Sequence, residues 1–345
     1  MIKVNKLGIV LSKTNNKFEN EGVLNPAVIK VNDTIHLFYR AVSEGNHSSI
    51  GYCKMSSPLV IDFRKDSPLL FPEYEYELKG MEDPRIVEIE GVYYMSYTAF
   101  DGVNALGALA TSTDLINWEK KGIIVPQITY EEFKHYSKSN SKLSEKYINF
   151  NLYRKTFESN EDNLFIWDKN LILFPRKINN KFYFLHRIKP DIQIVVEIND
   201  LKDLTEEFWH HYFKDFKKFV IMSPKFFHEM SYIGSGCPPI ETAEGWVLIY
   251  HGVSDSTEGY VYSACAALLD LENPKKEISR LPYPLFSPVE IWELKGEVNN
   301  VCFPTGTILD NDNLYIYYGA ADERIAVAMI SLKELLAELK LNPTI

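Results

Sequence analysis

Met81-Glu82-Asp83-Pro84-Arg85 sets a carboxylate directly before a proline, with a second carboxylate and a guanidinium close by. Proline is tolerated at the first residue of a strand, where its missing N–H is not needed. Asp83 would therefore stand at the mouth of the apolar run 86–89, either as a reactive carboxyl or as a turn cap beside a surface ion pair. A second cluster, Lys169, Arg176, Arg187 and Lys189, concentrates positive charge in a short stretch of an acidic chain. Such a local excess suits an anionic ligand, although long cationic side chains also commonly edge sheets. Gly234-Ser235-Gly236 precedes Cys237-Pro238-Pro239, and glycines there permit close backbone approach. His251 ends the apolar run 246–250, and Asp322 lies in a tight turn of small residues between two apolar runs. No one of these spacings names a reaction.

What joins them is repeat phase. Five times a proline-led apolar run meets a tight turn and a second, aromatic run. The copies begin at Asn25-Pro26, Asp83-Pro84, Phe174-Pro175, Cys237-Pro238 and Phe303-Pro304. The turn pairs are Asn32-Asp33, Glu90-Gly91, Asn179-Asn180, Glu244-Gly245 and Asn311-Asp312. The second runs close with Tyr39-Arg40, Tyr97-Thr98, His186-Arg187, Tyr250-His251 and Tyr318-Gly319. Strand, turn and strand recurring about every 60 residues is a propeller signature. The expectation is an all-β, five-bladed β-propeller with short helical insertions, one domain over residues 1–345. A propeller gathers equivalent points of its blades around one axis, so the clusters above would converge.

Third strands are expected at 50–55, 108–111, 192–198, 261–269 and 325–330, and a fourth at 122–125. Asp114 and Asp270 open turns in which Asp and Asn bond the local backbone. Two stretches break the rhythm, roughly 127–168 and 201–230, and either cover blade edges or shape access to a site. Within the second, Phe208, Trp209, Tyr212, Phe213, Phe216 and Phe219 have the spacing of an amphipathic helix. Leu332, Leu335, Leu336 and Leu339 give residues 331–341 one apolar stripe and the reading of a packing helix.

With 46% hydrophobic residues in 345, the chain can bury a large core. A formal net charge of −10 makes it a poor partner for nucleic acid. Cys53, Cys237, Cys265 and Cys302 show no metal-type spacing and read as buried free thiols. No apolar window is long enough for a signal peptide core or a spanning helix, so a cytoplasmic protein without membrane contact is expected.

At these residues the chain resembles glycoside hydrolase family 130, the inverting β-mannoside phosphorylases and hydrolases. The matching pieces are Glu82-Asp83-Pro84-Arg85, Leu109-Ala110-Thr111-Ser112 with Asp114 and Trp118, Lys169-Asn170 with Leu173-Phe174-Pro175, and His186-Arg187. Further matches are Gly234-Ser235-Gly236 with Pro238-Pro239, Gly245-Trp246, Tyr250-His251-Gly252-Val253, residues 268–271, and Tyr317-Tyr318-Gly319-Ala320-Ala321-Asp322. They run in order over nearly the whole chain, and the family is a five-bladed propeller. The resemblance implies that Asp83 is the general acid, protonating the departing oxygen through a mannose hydroxyl. It implies that Asp322 and Arg40, with Glu82, Arg85 and Tyr318, hold the sugar. Lys169, Arg187 and His251 would bind inorganic phosphate, the co-substrate, with no metal and no other cofactor. One departure stands out. Many family phosphorylases carry an arginine before the Leu-Ala-Thr-Ser strand, where this chain reads Asn104-Ala105-Leu106-Gly107-Ala108. Arg176 is the expected substitute. The alternatives are a hydrolase with Glu229 as the water-activating base, or a non-catalytic binder of mannosides stacking on Trp167, Tyr97 or Tyr318. The expected partner is an oligosaccharide, and homo-oligomer formation is left open.

Overall fold

The computed structural model describes residues 2–138, 147, 149–150 and 164–344. Among these, the strands form four sheets made of up-and-down antiparallel meanders. Gly22–Val31, Thr34–Ser43, His47–Ser57 and Val60–Arg64 make one meander, and Gly80–Ile89, Val92–Phe100, Ala105–Ser112 and Glu119–Ile123 the next. A single parallel pairing, Ser48 with Gly80, joins them into one sheet. Lys169–Leu173, Phe182–Arg187, Ile192–Ile198 and Val220–Met222 form the third meander. Tyr232–Ser235, Gly245–Ser256, Gly259–Leu269 and Glu277–Arg280 form the fourth, with Ile240–Thr242 also pairing onto its second strand. In the last sheet, Cys302–Asp310, Asn313–Ala320 and Arg324–Ser331 are completed by the N-terminal strand Asn5–Leu11. This joining of chain ends was not foreseen from the repeats, because Asn5–Leu11 carries no turn signal of its own.

The hairpins form where the chain can turn left-handed. Asn32, Glu90, Asn179, Asn180 and Asn311 have φ of 53°, 53°, 51°, 60° and 55°. Asn reaches this region at little cost, and such turns match the twist of the flanking strands. Along each middle strand, side chains alternate between the two neighbouring sheets. Leu37 and Tyr39 pack with Ile325 and Val327 of the last sheet, while Phe38 packs with Met95 and Ala108 of the next meander. The fourth meander does the same, with Leu248 and Tyr250 on one side and Val247 and Ile249 on the other. Each sheet is thus buried on both faces.

The expected third strands are all present, and Asp114 and Asp270 accept backbone hydrogen bonds from residues two and three further on. The insertion at 127–168 lies partly outside the described residues; its helix Tyr130–Lys138 is described. The second insertion forms helix Glu206–Lys214, capped by Thr205 and burying Trp209, Tyr212 and Phe213. The two insertions pack together, with Phe133 edge-on to Phe213 and Phe216, both at 5.5 Å. Helix Leu332–Lys340, capped by Ser331, buries Leu332, Leu335 and Leu339 as its stripe requires. All four cysteines are buried free thiols. Among the described residues no helix is long and apolar enough to cross a membrane.

Candidate active site

Three meanders carry the same irregularity at the inner end of their first strand. The register between first and second strand slips between Leu24 and Ala27, between Glu82 and Arg85, and between Lys169 and Ile172. In each slip one residue takes a left-handed backbone: Asn25 at φ 49°, Asp83 at 50° and Asn170 at 53°. Asn and Asp are the non-glycine types that tolerate this conformation, and a bulge re-aims the side chain it carries. All three side chains line one cavity of about 250 Å³.

The residues paired just before each slip complete the walls. Leu24 faces Arg40, Glu82 faces Thr98, and Lys169 faces Arg187. Arg40, Lys169 and Arg187 line the cavity, together with Asp322, Trp167, Lys189, Tyr232, Tyr262 and Phe303. Asp322 reaches it from the turn after Ala320, where it and Ala321 both have φ of 49°. Asp83, Lys169, Arg187 and Asp322, spread over the chain, therefore share one hollow.

Its electrostatics are unbalanced by design of the fold. Asn25 donates from Nδ2 to Oδ1 of Asp83 at 2.7 Å, and Arg40 Nη1 lies 4.0 Å from the same oxygen. Burial opposes ionisation of Asp83, but Lys169, Arg40, Arg85 and the Asn25 hydrogen bond outweigh it and hold this carboxyl below its ordinary value. Asp322 behaves oppositely. Burial, with the charges of Asp83 and Glu82, pushes it up to about 6 against the pull of Arg40 and Lys169. Two carboxyls on one cavity thus have environments that drive them apart: Asp83 favours its charged form and Asp322 its neutral one.

Several expected residues stand behind the wall rather than in it. Glu82 bridges Arg40 at 2.9 Å and Lys169 at 3.2 Å, holding both cations in place. Arg85, 1% exposed, donates to the carbonyls of Asp83, at 2.8 Å, and Gly236, and so braces the acid's backbone without reaching the cavity. His251 is fully buried, stacks on Phe303 at 4.4 Å and accepts from Arg187 Nη1 at 3.2 Å. Burial and the cations Arg187, Arg85 and Lys189 keep it neutral, so it orients Arg187 from behind. Gly234 makes room for it: a Cβ there would sit 2.5 Å from His251 Nε2.

Four expected residues are corrected. Tyr318 is 0% exposed and donates to Glu293 at 2.6 Å within the core, so it cannot touch a sugar. Tyr97 is likewise buried on Glu77, which leaves Trp167 as the one of the three proposed stacking residues that lines the cavity. Arg176 lies over Trp246 at 5.0 Å and pairs with Glu241 at 2.8 Å and Glu272 at 3.6 Å, away from the cavity. Glu229 is 0% exposed and accepts from Tyr250, Arg280, and the Lys225 and Phe226 amides. A carboxylate filled on all sides has no lone pair for water. Asn25 was missed as a site residue although Asn25-Pro26 repeats the phase of Asp83-Pro84. Tyr232, Tyr262 and Phe303 were missed because an aromatic in an apolar strand gives no sign of which face it takes.

The family profile described as beta-1,4-mannooligosaccharide phosphorylase matches residues 7–341. The chain belongs to glycoside hydrolase family 130. It is 36% identical to a 1,2-beta-oligomannan phosphorylase of Thermoanaerobacter sp. (strain X514), with 97% of this chain and 99% of that one aligned. A beta-1,2-mannobiose phosphorylase of the same organism is 34% identical over 91% of each chain. The solved structure of the beta-1,2-mannobiose phosphorylase from Listeria innocua in complex with beta-1,2-mannobiose superposes with a TM-score of 0.72. At 23% identity it covers 99% of this chain and 100% of that one, which shows a shared fold.

Proposed function

We propose that this chain is an inverting phosphorylase of β-1,2-mannosides, a single catalytic domain built as a five-bladed propeller. The blade count follows from dividing the eight-stranded sheet at its lone parallel pairing, Ser48 with Gly80. The linkage follows from the relatives that align over nearly the whole chain, both named for β-1,2 substrates. The carrying observation is the meeting of Asp83 and Asp322 with Lys169 and Arg187 on one cavity. A glycosidic bond needs a proton donor on one side and an attacking group on the other. Cations and donors at the second place suit phosphate, and among the described residues no free carboxylate stands there to activate water.

Asp322 and Arg40 hold the mannosyl ring, and Asp83 supplies the proton. Phosphate, held by Lys169 and by Arg187 with His251 behind it, attacks the anomeric carbon with an oxygen lone pair. The bond from that carbon to the departing oxygen breaks, and the departing oxygen takes a proton that Asp83 delivers through a mannose hydroxyl. The phosphate charge offsets Lys169 and Arg40, the cations that otherwise keep Asp83 ionised, so Asp83 carries that proton in the substrate complex. The products are α-mannose 1-phosphate and a sugar shortened by one residue. Arg40 and Glu82 tie the acid to the phosphate side, since Glu82 bridges Arg40 and Lys169. Incubation with β-1,2-mannobiose, followed by ³¹P NMR, tests the reading. Phosphate-dependent α-mannose 1-phosphate is expected; mannose released equally without phosphate would refute it.

A further inference from the structure

The cavity holds one more cation than the pairing around it accounts for. Lys169 is neutralised by Glu82 at 3.2 Å, and Arg187 leans on the neutral His251. Lys189 lines the same cavity and has no carboxylate partner among the described residues; its Nζ sits 3.8 Å from the ring centre of Tyr232. Arg187 lies against that ring too, at 5.4 Å. Lys189 follows the strand Phe182–Arg187 in a turn; Ile188 between the two cations is buried in an apolar cluster, and Arg187 and Lys189 both line the hollow. Burial, Arg187 and Lys169 all press the Lys189 ammonium well below the ordinary lysine range. An aromatic face repays part of that cost, but a buried ammonium without a counter-charge is unfavourable unless something completes it.

We infer that Lys189 is a ligand of the attacking phosphate, closing on the anion together with Arg187 across the ring of Tyr232. This rests on the phosphorolytic reading. The nucleophile is a dianion, and Glu82 already takes up much of the Lys169 charge, so Lys189 supplies the second uncompensated positive group that a dianion requires.

The test compares wild type, Lys189→Met and Lys189→Arg with β-1,2-mannobiose at varied inorganic phosphate, and records melting curves with and without phosphate. Lys189→Met should raise the phosphate KM about 10- to 100-fold, as expected for losing a charged hydrogen bond, with the mannobiose KM unchanged. Lys189→Arg should recover most of the loss. Without phosphate, the Met variant should melt at or above the wild-type temperature, since an unpaired buried charge has gone; the rise in melting temperature on adding phosphate should shrink. An unchanged phosphate KM and thermal shift in Lys189→Met overturns the inference, as does a fall in kcat at constant phosphate KM. If wild type makes no mannose 1-phosphate, the proposed function fails; a wild-type thermal shift by phosphate that Lys189→Met loses would still uphold the Lys189 anion site. No shift in wild type sinks both.

Discussion

Two sets of charged groups in this molecule, an outer and an inner ring, differ in saturation. The outer one consists of Glu19, Glu77, Glu229 and Glu293, each 0% exposed and each within a short helical turn. Each accepts from a tyrosine of a second strand: Tyr39, Tyr97, Tyr250 and Tyr318. Each also binds a cation from the outermost strand of the same meander: Arg64, Lys120, Arg280 and Lys6. In the third meander, Asp168 and Tyr212 clasp His186 instead, at 2.7 Å and 2.8 Å, with Tyr212 brought in by the second insertion. The inner ring is the cavity. There Asn25 Oδ1, Asn170 Oδ1 and Arg187 Nε have no partner among the described residues, and Lys189 has only an aromatic face. The same residue types tie strands together when filled and leave room for a ligand when not.

The sharpest way to break this contrast is Asp83→Asn. The amide keeps an oxygen to accept from Asn25 but gives up the charge that Lys169, Arg40 and Arg85 favour, so the melting temperature should fall modestly with the fold retained. Turnover should fall about a hundred- to ten-thousand-fold, the usual weight of a general acid. Activity near wild type would remove Asp83 from the reaction and with it the functional meaning of the unfilled ring. Glu229→Ala is the mirror experiment. It strands Arg280 and Tyr250 in the core and should cost about 3–5 kcal/mol of stability by denaturant titration. The activity of the remaining folded enzyme should stay within a few-fold. A variant that melts normally and loses turnover would restore Glu229 as a base.

The repeat phase that made the fold legible also explains the site errors. The pairs ending each second run, Tyr39-Arg40, Tyr97-Thr98, His186-Arg187, Tyr250-His251 and Tyr318-Gly319, supply the candidates Arg40, Tyr97, Arg187, His251 and Tyr318. Strand alternation sends the first member of each pair to the outer ring and the second toward the axis. Arg40 and Arg187 therefore line the cavity and Tyr318 does not, although both outcomes follow from the same period of two. Gly319 takes the axial place in the last copy, and a Cβ there would meet Asn25 Oδ1 at 2.0 Å. The outer glutamates left a faint sequence trace. Glu19, Glu77 and Glu229 each precede a first strand by three residues, whereas Glu293 precedes Cys302–Asp310 by nine. Arg176 could not have been placed from sequence, because its partners Glu241 and Glu272 come from the neighbouring meander.

Asp322→Asn probes the inner ring through stability rather than rate. In the folded protein this carboxyl is raised to about 6, above its unfolded value. A group raised in this way contributes its full stability below the unfolded value and loses it as pH climbs through the folded one. The asparagine variant escapes that loss. Its advantage over wild type should be absent near pH 4, grow between pH 4 and 6, and level off above at about 1–3 kcal/mol. Chemical denaturation at a series of pH values reads this directly. An advantage that stays constant with pH, or grows on acidification, would show that Asp322 is already satisfied and belongs with the outer ring. Turnover by this variant should be lost at every pH, because the group proposed to grip the sugar has gone.

Arg176→Ala should produce the smallest effect, and its smallness is informative. Arg176 is a cation in the basic stretch, at the position where phosphate binding was expected to be compensated. The structure engages it with Glu241 and Glu272, both partly or largely exposed, over the ring of Trp246. An exposed ion pair of this kind is worth about 0–1 kcal/mol, and the stacked guanidinium adds about 0.5–1 kcal/mol. The variant should melt slightly lower, more so at low salt, and its phosphate KM should match wild type. A phosphate KM raised tenfold would mean that charge acts on the anion from outside the cavity wall. The distinction between filled and unfilled groups would then fail at the residue where sequence and structure disagree most.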